Sequence, residues 1–233
     1  MAPVRNLLLA ITALVAFAAG AQAADLGSPR MPIAAAVVAQ GFNWSGLYLG
    51  AHVGYGCGRT TPVNLLNGPF AMNTSGGLIG GQIDFNYQIN QIVLGAEADL
   101  AYAGISGSRV AIAPQVLFVR TNMLGSVRAR AGFAVDRALF DVTGGLGIQG
   151  GSFATSTAGI AERYTRTGWT VGAGVEYAMT PNWTVKAEYS YYDFGTRTLG
   201  PTYVGTIRAD VHTVKLGVNY LFSTGPSAVV ARY

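Results

Sequence analysis

Alternation of apolar and polar residues is the dominant pattern of the chain, and it is clearest between residues 168 and 195. Two arms, 168–179 and 182–194, each place an apolar or aromatic residue at every second position. Successive side chains of a β-strand point to opposite faces, whereas a helix repeats every 3.6 residues. The pattern therefore predicts two strands joined by the tight turn Thr180-Pro181-Asn182.

The two faces of this hairpin differ in chemistry. The polar faces carry charges at mid-length, and the apolar faces end in aromatic residues. A soluble sandwich normally turns its charges outward to water. A transmembrane barrel turns its apolar face to lipid and its polar face to the lumen, with aromatic residues at both membrane interfaces. The hairpin thus predicts part of a transmembrane β-barrel.

Similar units repeat at intervals of about 45 residues, a spacing that indicates four hairpin-like units. Short turns fall at 88–90, 135–137 and 180–182, and short turns are periplasmic in outer-membrane barrels. We therefore predict an all-β fold, an eight-stranded antiparallel up-and-down transmembrane β-barrel. The predicted strands are 43–57, 76–88, 91–103, 118–135, 138–151, 167–179, 182–194 and 207–222, and the predicted long loops are 58–75, 104–117, 152–166 and 195–206.

The N-terminus has the features of a secretory signal peptide. Arg5 precedes an apolar run, and the small-residue motif Ala21-Gln22-Ala23 predicts cleavage after Ala23. Half of the residues are apolar, yet the mature chain has no continuous run long enough for a transmembrane helix. The predicted location is the cell outer membrane. The predicted divisions are a signal peptide (1–23), an irregular N-terminal leader (24–41), the barrel (42–222) and a C-terminal extension (223–233).

Aromatic residues fall at both ends of the predicted lipid-facing positions. This distribution predicts two girdles at the membrane interfaces. The predicted periplasmic girdle is Phe85, Tyr87, Phe133, Phe140, Tyr177, Trp183, Tyr220 and Phe222, and the opposite girdle is Tyr55, Tyr102, Trp169 and Tyr191.

The same alternation assigns charged residues to the lumen. Side chains can fill the interior of a barrel of eight strands, and buried charges must pair. A packed network of salt bridges is therefore predicted, with a selectivity constriction as the alternative. The predicted lumen network is Asp84, Glu97, Asp99, Asp141, Glu176 and Glu188 with Arg128, Arg130, Lys186 and Lys215.

Several segments resemble the small outer-membrane immunogenic proteins of Gram-negative bacteria, also called the porin-family outer-membrane β-barrel domain. They are WSGLYLGAHVGYG (44–56), GLIGGQIDFNYQ (77–88), LGAEADL (94–100), GSVRARAGFAVDR (125–137), the whole stretch 168–195 and HTVKLGVNYLF (212–222).

The resemblance implies an eight-stranded barrel exposed as a surface antigen, and the family includes haemin-binding surface proteins. It also implies that the last strand, ending at Phe222, is recognised by the barrel-assembly machinery. Such barrels usually end on a terminal aromatic residue, whereas here 223–233 follows Phe222.

Arginines gather in or beside the predicted long loops. Seven of them are accompanied there by three acids, Glu162, Asp193 and Asp210. The phosphates of lipopolysaccharide lie at this height, and arginine can bind phosphate through two hydrogen bonds. Lipopolysaccharide and lipid are the predicted partners, with host or surface ligands possible through the loops, and nucleic acid is not expected. The arginines are Arg59, Arg109, Arg120, Arg163, Arg166, Arg197 and Arg208.

The sequence gives little support to nucleotide binding, disulfide formation, catalysis or haem ligation. The GxGxxG motif at 145–150 precedes a Gly/Ser/Thr-rich segment rather than a helix, which disfavours nucleotide binding. The single cysteine, Cys57, can form neither an internal disulfide nor a CxxC site. Alternation places His52 inward and His212 outward, which disfavours a shared catalytic or haem-ligating pair. No metal, catalytic residue or cofactor is expected, and a haem role for either histidine rests mainly on the resemblance.

These observations predict a non-enzymatic structural and surface-exposed envelope protein with a charge-packed lumen. Two alternatives stay open, namely a narrow porin for small solutes and a haem- or ligand-binding surface protein.

Overall fold

A computed structural model describes residues 41–64, 68–69, 71–112, 115–155, 161–198 and 205–222. The predicted signal peptide, the extension 223–233 and the leader apart from Gly41 lie outside the described residues. Within the described ranges the long strands are β1 (Gly46–Asn64), β2 (Met72–Ile89), β3 (Ile92–Ile112), β4 (Gln115–Val135), β5 (Ala138–Thr155), β6 (Ala161–Ala178), β7 (Trp183–Thr198) and β8 (Gly205–Phe222).

The strands form one closed antiparallel barrel. Each pairs with its neighbours in sequence, and β1 pairs with both β2 and β8. The closing ladder runs from Leu47 opposite Phe222 to Asn64 opposite Gly205. The short segment Gly68–Pro69 adds to the end of β1. Closure satisfies the backbone groups that an open edge would leave unpaired in lipid. The predicted eight-stranded barrel is confirmed.

Tight turns join β2 to β3, β4 to β5 and β6 to β7, and this end of the barrel is called the turn end below. Asn90 and Asp136 adopt positive φ values of 56° and 50° in two of these turns. Asn and Asp enter this left-handed region more readily than other residues with a side chain. Gly46 at the start of β1 and Phe222 at the end of β8 lie at the same end.

The predicted long loops are wrong in extent, because the strands continue through most of them at the opposite end, called the far end below. For example, β1 reaches Asn64 and β3 reaches Ile112. Outward positions there carry exposed polar residues such as Arg59, Ser106 and Thr165. The alternation of apolar and polar residues stops where the outer face extends beyond the lipid hydrocarbon. The backbone hydrogen bonds between strands continue past that point. Within the predicted loops 58–75, 104–117, 152–166 and 195–206, the long strands take up residues 58–64 and 72–75, 104–112 and 115–117, 152–155 and 161–166, and 195–198 and 205–206.

The outer face of the barrel is apolar between two rings of aromatic side chains. Its large apolar residues are exposed, as Ile79, Val142 and Leu146 illustrate. All of the residues assigned to the two girdles are exposed or partly exposed. Some pair edge to face across strands, with ring centroids 5.4 Å apart for Trp169 and Tyr191. Among the described residues, no helix has the length and apolarity to cross a bilayer.

The register of the closing ladder is testable through Cys57, which lies opposite His212 and is exposed. Side chains directly opposite each other in an antiparallel pair have Cβ atoms roughly 4.5–5.5 Å apart. The variant His212→Cys should therefore form an intramolecular disulfide under mild oxidation, seen as faster migration of the denatured chain without reductant. Val214→Cys, which faces Tyr55 instead, is the control. Equal cross-linking in both variants would contradict the register.

Candidate functional site

The barrel interior contains a layer of buried charges. The ten side chains that alternation assigns to the lumen are all at most 7 % exposed. They come from β2 to β8 and meet near the middle of the barrel, and this set is called the charged layer below. Its members are Asp84, Glu97, Asp99, Arg128, Arg130, Asp141, Glu176, Lys186, Glu188 and Lys215.

Arg128 on β4 is the centre of the larger group of ion pairs. Its guanidinium contacts Glu97 on the neighbouring strand and lies 2.8 Å from Glu188 Oε1 on β7. It also donates hydrogen bonds to Ser190 Oγ at 2.9 Å and Thr143 Oγ1 at 3.1 Å. Because β4 and β7 are not adjacent, these contacts cross the lumen and fill it.

Two lysines extend the group. Lys186 Nζ lies 2.5 Å from Glu97 Oε2 and 2.7 Å from Glu188 Oε2, so it bridges the same two carboxylates as Arg128. Lys215 Nζ lies 2.9 Å from Glu188 Oε1 and 3.6 Å from Asp99 Oδ2. Each of the three cations thus contacts two or more acids. This compensates the cost of removing them from water.

A second group surrounds Arg130. Its Nη2 atom lies 2.8 Å from Asp141 Oδ2 and 2.5 Å from Glu176 Oε2. Glu176 also accepts hydrogen bonds from Thr184 Oγ1 and, at 2.8 Å, from Asn219 Nδ2. These neutral donors stabilise a carboxylate without adding charge, which helps four cations to balance six acids.

Apolar side chains close the interior at the turn end. Trp44, Tyr48 and Leu139 are fully buried there, and the Tyr48 hydroxyl donates to the Trp44 carbonyl at 2.9 Å. The sequence pattern did not identify this cluster, although Tyr48 shares the inward register of His52. The turn-end cluster comprises Trp44, Tyr48, Val93, Ala134, Leu139, Ala178 and Leu221.

A second apolar cluster closes the interior on the other side of the charged layer. Tyr192 and Phe194 of β7 stack with ring centroids 6.0 Å apart at an angle of 11°. The order along β7 shows the layering, since Lys186 and Glu188 precede these two rings. The far cluster comprises Leu78, Ala101, Ala103, Ile105, Leu124, Tyr192, Phe194 and Val211.

An apolar cluster therefore lies on each side of the charged layer, and further buried polar residues, among them Thr121, Gln149 and Arg166, lie toward the far end. An ion crossing the interior would have to pass both apolar clusters, which is unfavourable because they offer few polar partners. The arrangement favours a sealed lumen over a selectivity constriction.

The predicted lipopolysaccharide-facing arginines separate into different positions. Arg59, Arg120, Arg163 and Arg208 are exposed on the outer face near the far end. Arg109 and Arg197 fall on β3 and β7, and their side chains lie outside what is described.

The outward assignment of Arg166 is wrong. The side chain is buried inside the barrel, with its guanidinium carbon 4.7 Å from the centre of the Tyr164 ring. The error follows from treating 152–166 as a loop, because strand alternation continues through Arg166 and turns it inward.

The two histidines lie on opposite sides of the barrel wall. His52 is buried inside, whereas His212 lies on the outer face with its Nδ1 atom 2.7 Å from the Tyr189 hydroxyl. They cannot ligate one group together. In the part of the chain that the structure describes, no group of three or more His, Cys, Asp or Glu residues is placed to hold a metal ion.

Arg128→Met should strongly reduce the stability of the barrel. It leaves the carboxylates of Glu97 and Glu188 with fewer positive charges to neutralise them. Breaking a buried ion pair by removing one partner costs about 3–5 kcal/mol. We expect the free energy of unfolding to fall by this amount for the barrel refolded in lipid. Unfolding in urea would be followed by the change in gel mobility of unboiled samples. Val127→Ala, at the neighbouring outward position, should change stability by less than about 0.5 kcal/mol. Equal stability of the two variants would contradict a stabilising role for the pairs.

The comparisons with known proteins agree with this architecture. The family described as outer membrane protein beta-barrel domain matches residues 9–222. The chain is 36 % identical over 231 residues to the 31 kDa outer-membrane immunogenic protein of Brucella melitensis, covering 88 % of this chain and 95 % of the relative. It is 30 % identical over 227 residues to the 25 kDa outer-membrane immunogenic protein of Brucella abortus, covering 95 % and 100 %.

Among solved structures, the outer membrane protein OprG from Pseudomonas aeruginosa is similar with a TM-score of 0.49 and 12 % identity, covering 79 % of this chain and all but 1 % of that one. The family match spans nearly the whole chain, and both relatives are named as outer-membrane proteins. This protein therefore belongs to the outer membrane protein β-barrel domain family, and its location is the outer membrane.

Proposed function

We propose that this envelope protein is a sealed, non-enzymatic barrel that supports the outer membrane and presents its extracellular end to lipopolysaccharide and surface partners. The observation that carries the proposal is the pair of apolar clusters that enclose the charged layer. A porin needs a wet passage, whereas here a charged layer lies between two buried apolar clusters. The barrel is thus better suited to structure and display than to transport.

The proposed partner at the extracellular end is lipopolysaccharide. Short turns face the periplasm in outer-membrane barrels, so the far end faces outward. Exposed Arg59, Arg120, Arg163 and Arg208 lie on different strands there, beyond the aromatic girdle of Tyr55, Tyr102, Trp169 and Tyr191. Arginine suits phosphate because its planar guanidinium can form two parallel hydrogen bonds.

The periplasmic end offers a feature for assembly. Phe222 ends β8 at the closing seam, opposite Leu47, and its ring lies 4.8 Å from that of Tyr220. We propose that this exposed aromatic end of the last strand is what the assembly machinery recognises.

The sealed lumen is tested by conductance in planar lipid bilayers. The wild-type barrel, checked for folding by its mobility before boiling, should give no steady single-channel current. A variant that shortens both apolar clusters, Tyr48→Ala with Tyr192→Ala and Phe194→Ala, should admit water and give measurable current. Val171→Ala and Val175→Ala on the lipid-facing side serve as the matched control and should stay silent. Steady current through the wild-type barrel would show that the lumen is not sealed and would support the porin alternative.

The lipopolysaccharide contact is tested by changing the four exposed arginines together to glutamine. We expect at least a several-fold loss of lipopolysaccharide that co-purifies with the folded protein, because each change removes charged hydrogen-bond donors to phosphate. Arg137→Gln, which removes the charge of an exposed arginine at the turn end, controls for loss of positive charge away from the extracellular end. Unchanged co-purification with the four-arginine variant would overturn this part of the proposal.

A further inference from the structure

A groove of about 520 Å³ crosses the outer face of β1 to β5. Small residues form its floor, namely Gly81 on β2, Ala98 on β3 and Gly125 on β4. Larger apolar side chains such as Leu49 and Leu100 border it. Ile83 and Leu100, which also line it, lie two residues from girdle members Phe85 and Tyr102. The groove is therefore at the level of the lipid hydrocarbon.

The upper part of the groove leads to a cation. Met123 lines the groove and is directly opposite Tyr102 of the extracellular girdle. The Tyr102 hydroxyl accepts a hydrogen bond from Arg120 Nη2 at 3.1 Å. The apolar groove thus ends beneath the guanidinium of Arg120, which its hydrogen bond to Tyr102 holds at the membrane interface.

A bulge in β4 separates Arg120 from Met123. The register with β5 shifts between Thr121 and Met123, which makes Asn122 an extra residue in this strand. Bulges commonly change the direction of a side chain next to a functional site. Here the bulge lies between the polar and apolar parts of the surface.

The charge of Arg120 is less compensated than the charges of Arg59 and Arg208. Its cross-strand neighbours are Ser106 and Ser152, both uncharged. Arg208 by contrast lies 3.4 Å from Asp193, and Arg59 is opposite Asp210. An anion would therefore be attracted more strongly to Arg120 than to these two positions.

We propose that this surface is a binding site for one lipopolysaccharide molecule, with an acyl chain in the groove and a phosphate held by Arg120 and Tyr102. The proposal rests on the lipopolysaccharide contact proposed above and names one site for it. The occupant must be apolar over the length of the groove and anionic at the extracellular interface. A phosphorylated lipid of the outer leaflet has both properties in one molecule.

Gly81→Leu tests the acyl part of the site. A Cβ at Gly81 would meet its nearest heavy atom, the Gly50 carbonyl oxygen, at 3.4 Å, which is ordinary contact. Leucine also suits a strand better than glycine, so the variant should fold while filling the groove. Gly144→Leu is the matched control, because Gly144 is a lipid-facing glycine outside this groove with nothing closer than 3.9 Å to its Cβ.

Arg120→Gln tests the phosphate part. Lipid A binding would be measured on the purified folded barrel in nanodiscs of zwitterionic lipid. We expect Gly81→Leu and Arg120→Gln each to weaken binding by about tenfold, because the first fills the space that the acyl chain would occupy and the second removes charged hydrogen-bond donors to phosphate. Gly144→Leu should bind like the wild type. Removing the phosphates from lipid A should cancel the effect of Arg120→Gln but not that of Gly81→Leu.

Four outcomes would overturn the site, three with lipids and one with phosphate. The three with lipids are wild-type affinity in Gly81→Leu, equal loss in Gly144→Leu, and equal affinity of the wild type for phosphatidylglycerol, which would make it a general anionic-lipid site. Binding of inorganic phosphate alone with similar affinity would also overturn it. If these single variants bind normally while the four-arginine variant loses lipopolysaccharide, only this site fails. If the four-arginine variant also keeps it, the proposed function fails as well.

Discussion

Closure of the backbone ladder is the constraint on which the rest of the structure depends. A strand in lipid has no water to satisfy its amide and carbonyl groups, so every strand needs a partner on each side. The pairing of β1 with β8 meets this requirement from Leu47 to Asn64. Once the sheet is closed, every side chain must face either lipid or the interior. The alternation of the sequence follows directly from this choice.

An interior enclosed by eight strands is narrow enough for side chains to fill it. Arg128 shows the result, since it reaches from β4 to Glu188 on β7 and contacts Glu97 beside it. The same narrowness brings Tyr48 and Trp44 together at one end and Tyr192 and Phe194 at the other. The narrow interior thus brings the charges into contact and places apolar side chains on both sides of them.

The sequence predicted the features that the lipid environment requires. It did not predict features that depend on packing inside the barrel or on the parts of the strands outside the membrane. Glu176 and Lys186 could be assigned to the interior because neither can face hydrocarbon. Tyr192 could not be recognised as interior packing, because aromatic residues occur at consecutive positions there and fit either face. Arg166 was misplaced because alternation of hydrophobicity ends where the outer face leaves the membrane. The groove beneath Arg120 needs five strands side by side, which no linear pattern reveals.

The strands continue beyond the aromatic girdle of Tyr55, Tyr102, Trp169 and Tyr191. This hydrogen-bonded part of the barrel is called the collar. Residues in a hydrogen-bonded ladder have already lost most of their conformational freedom, so a partner that binds the collar need not order it. A molecule that contacted this part of the barrel would therefore meet a surface whose shape is already set.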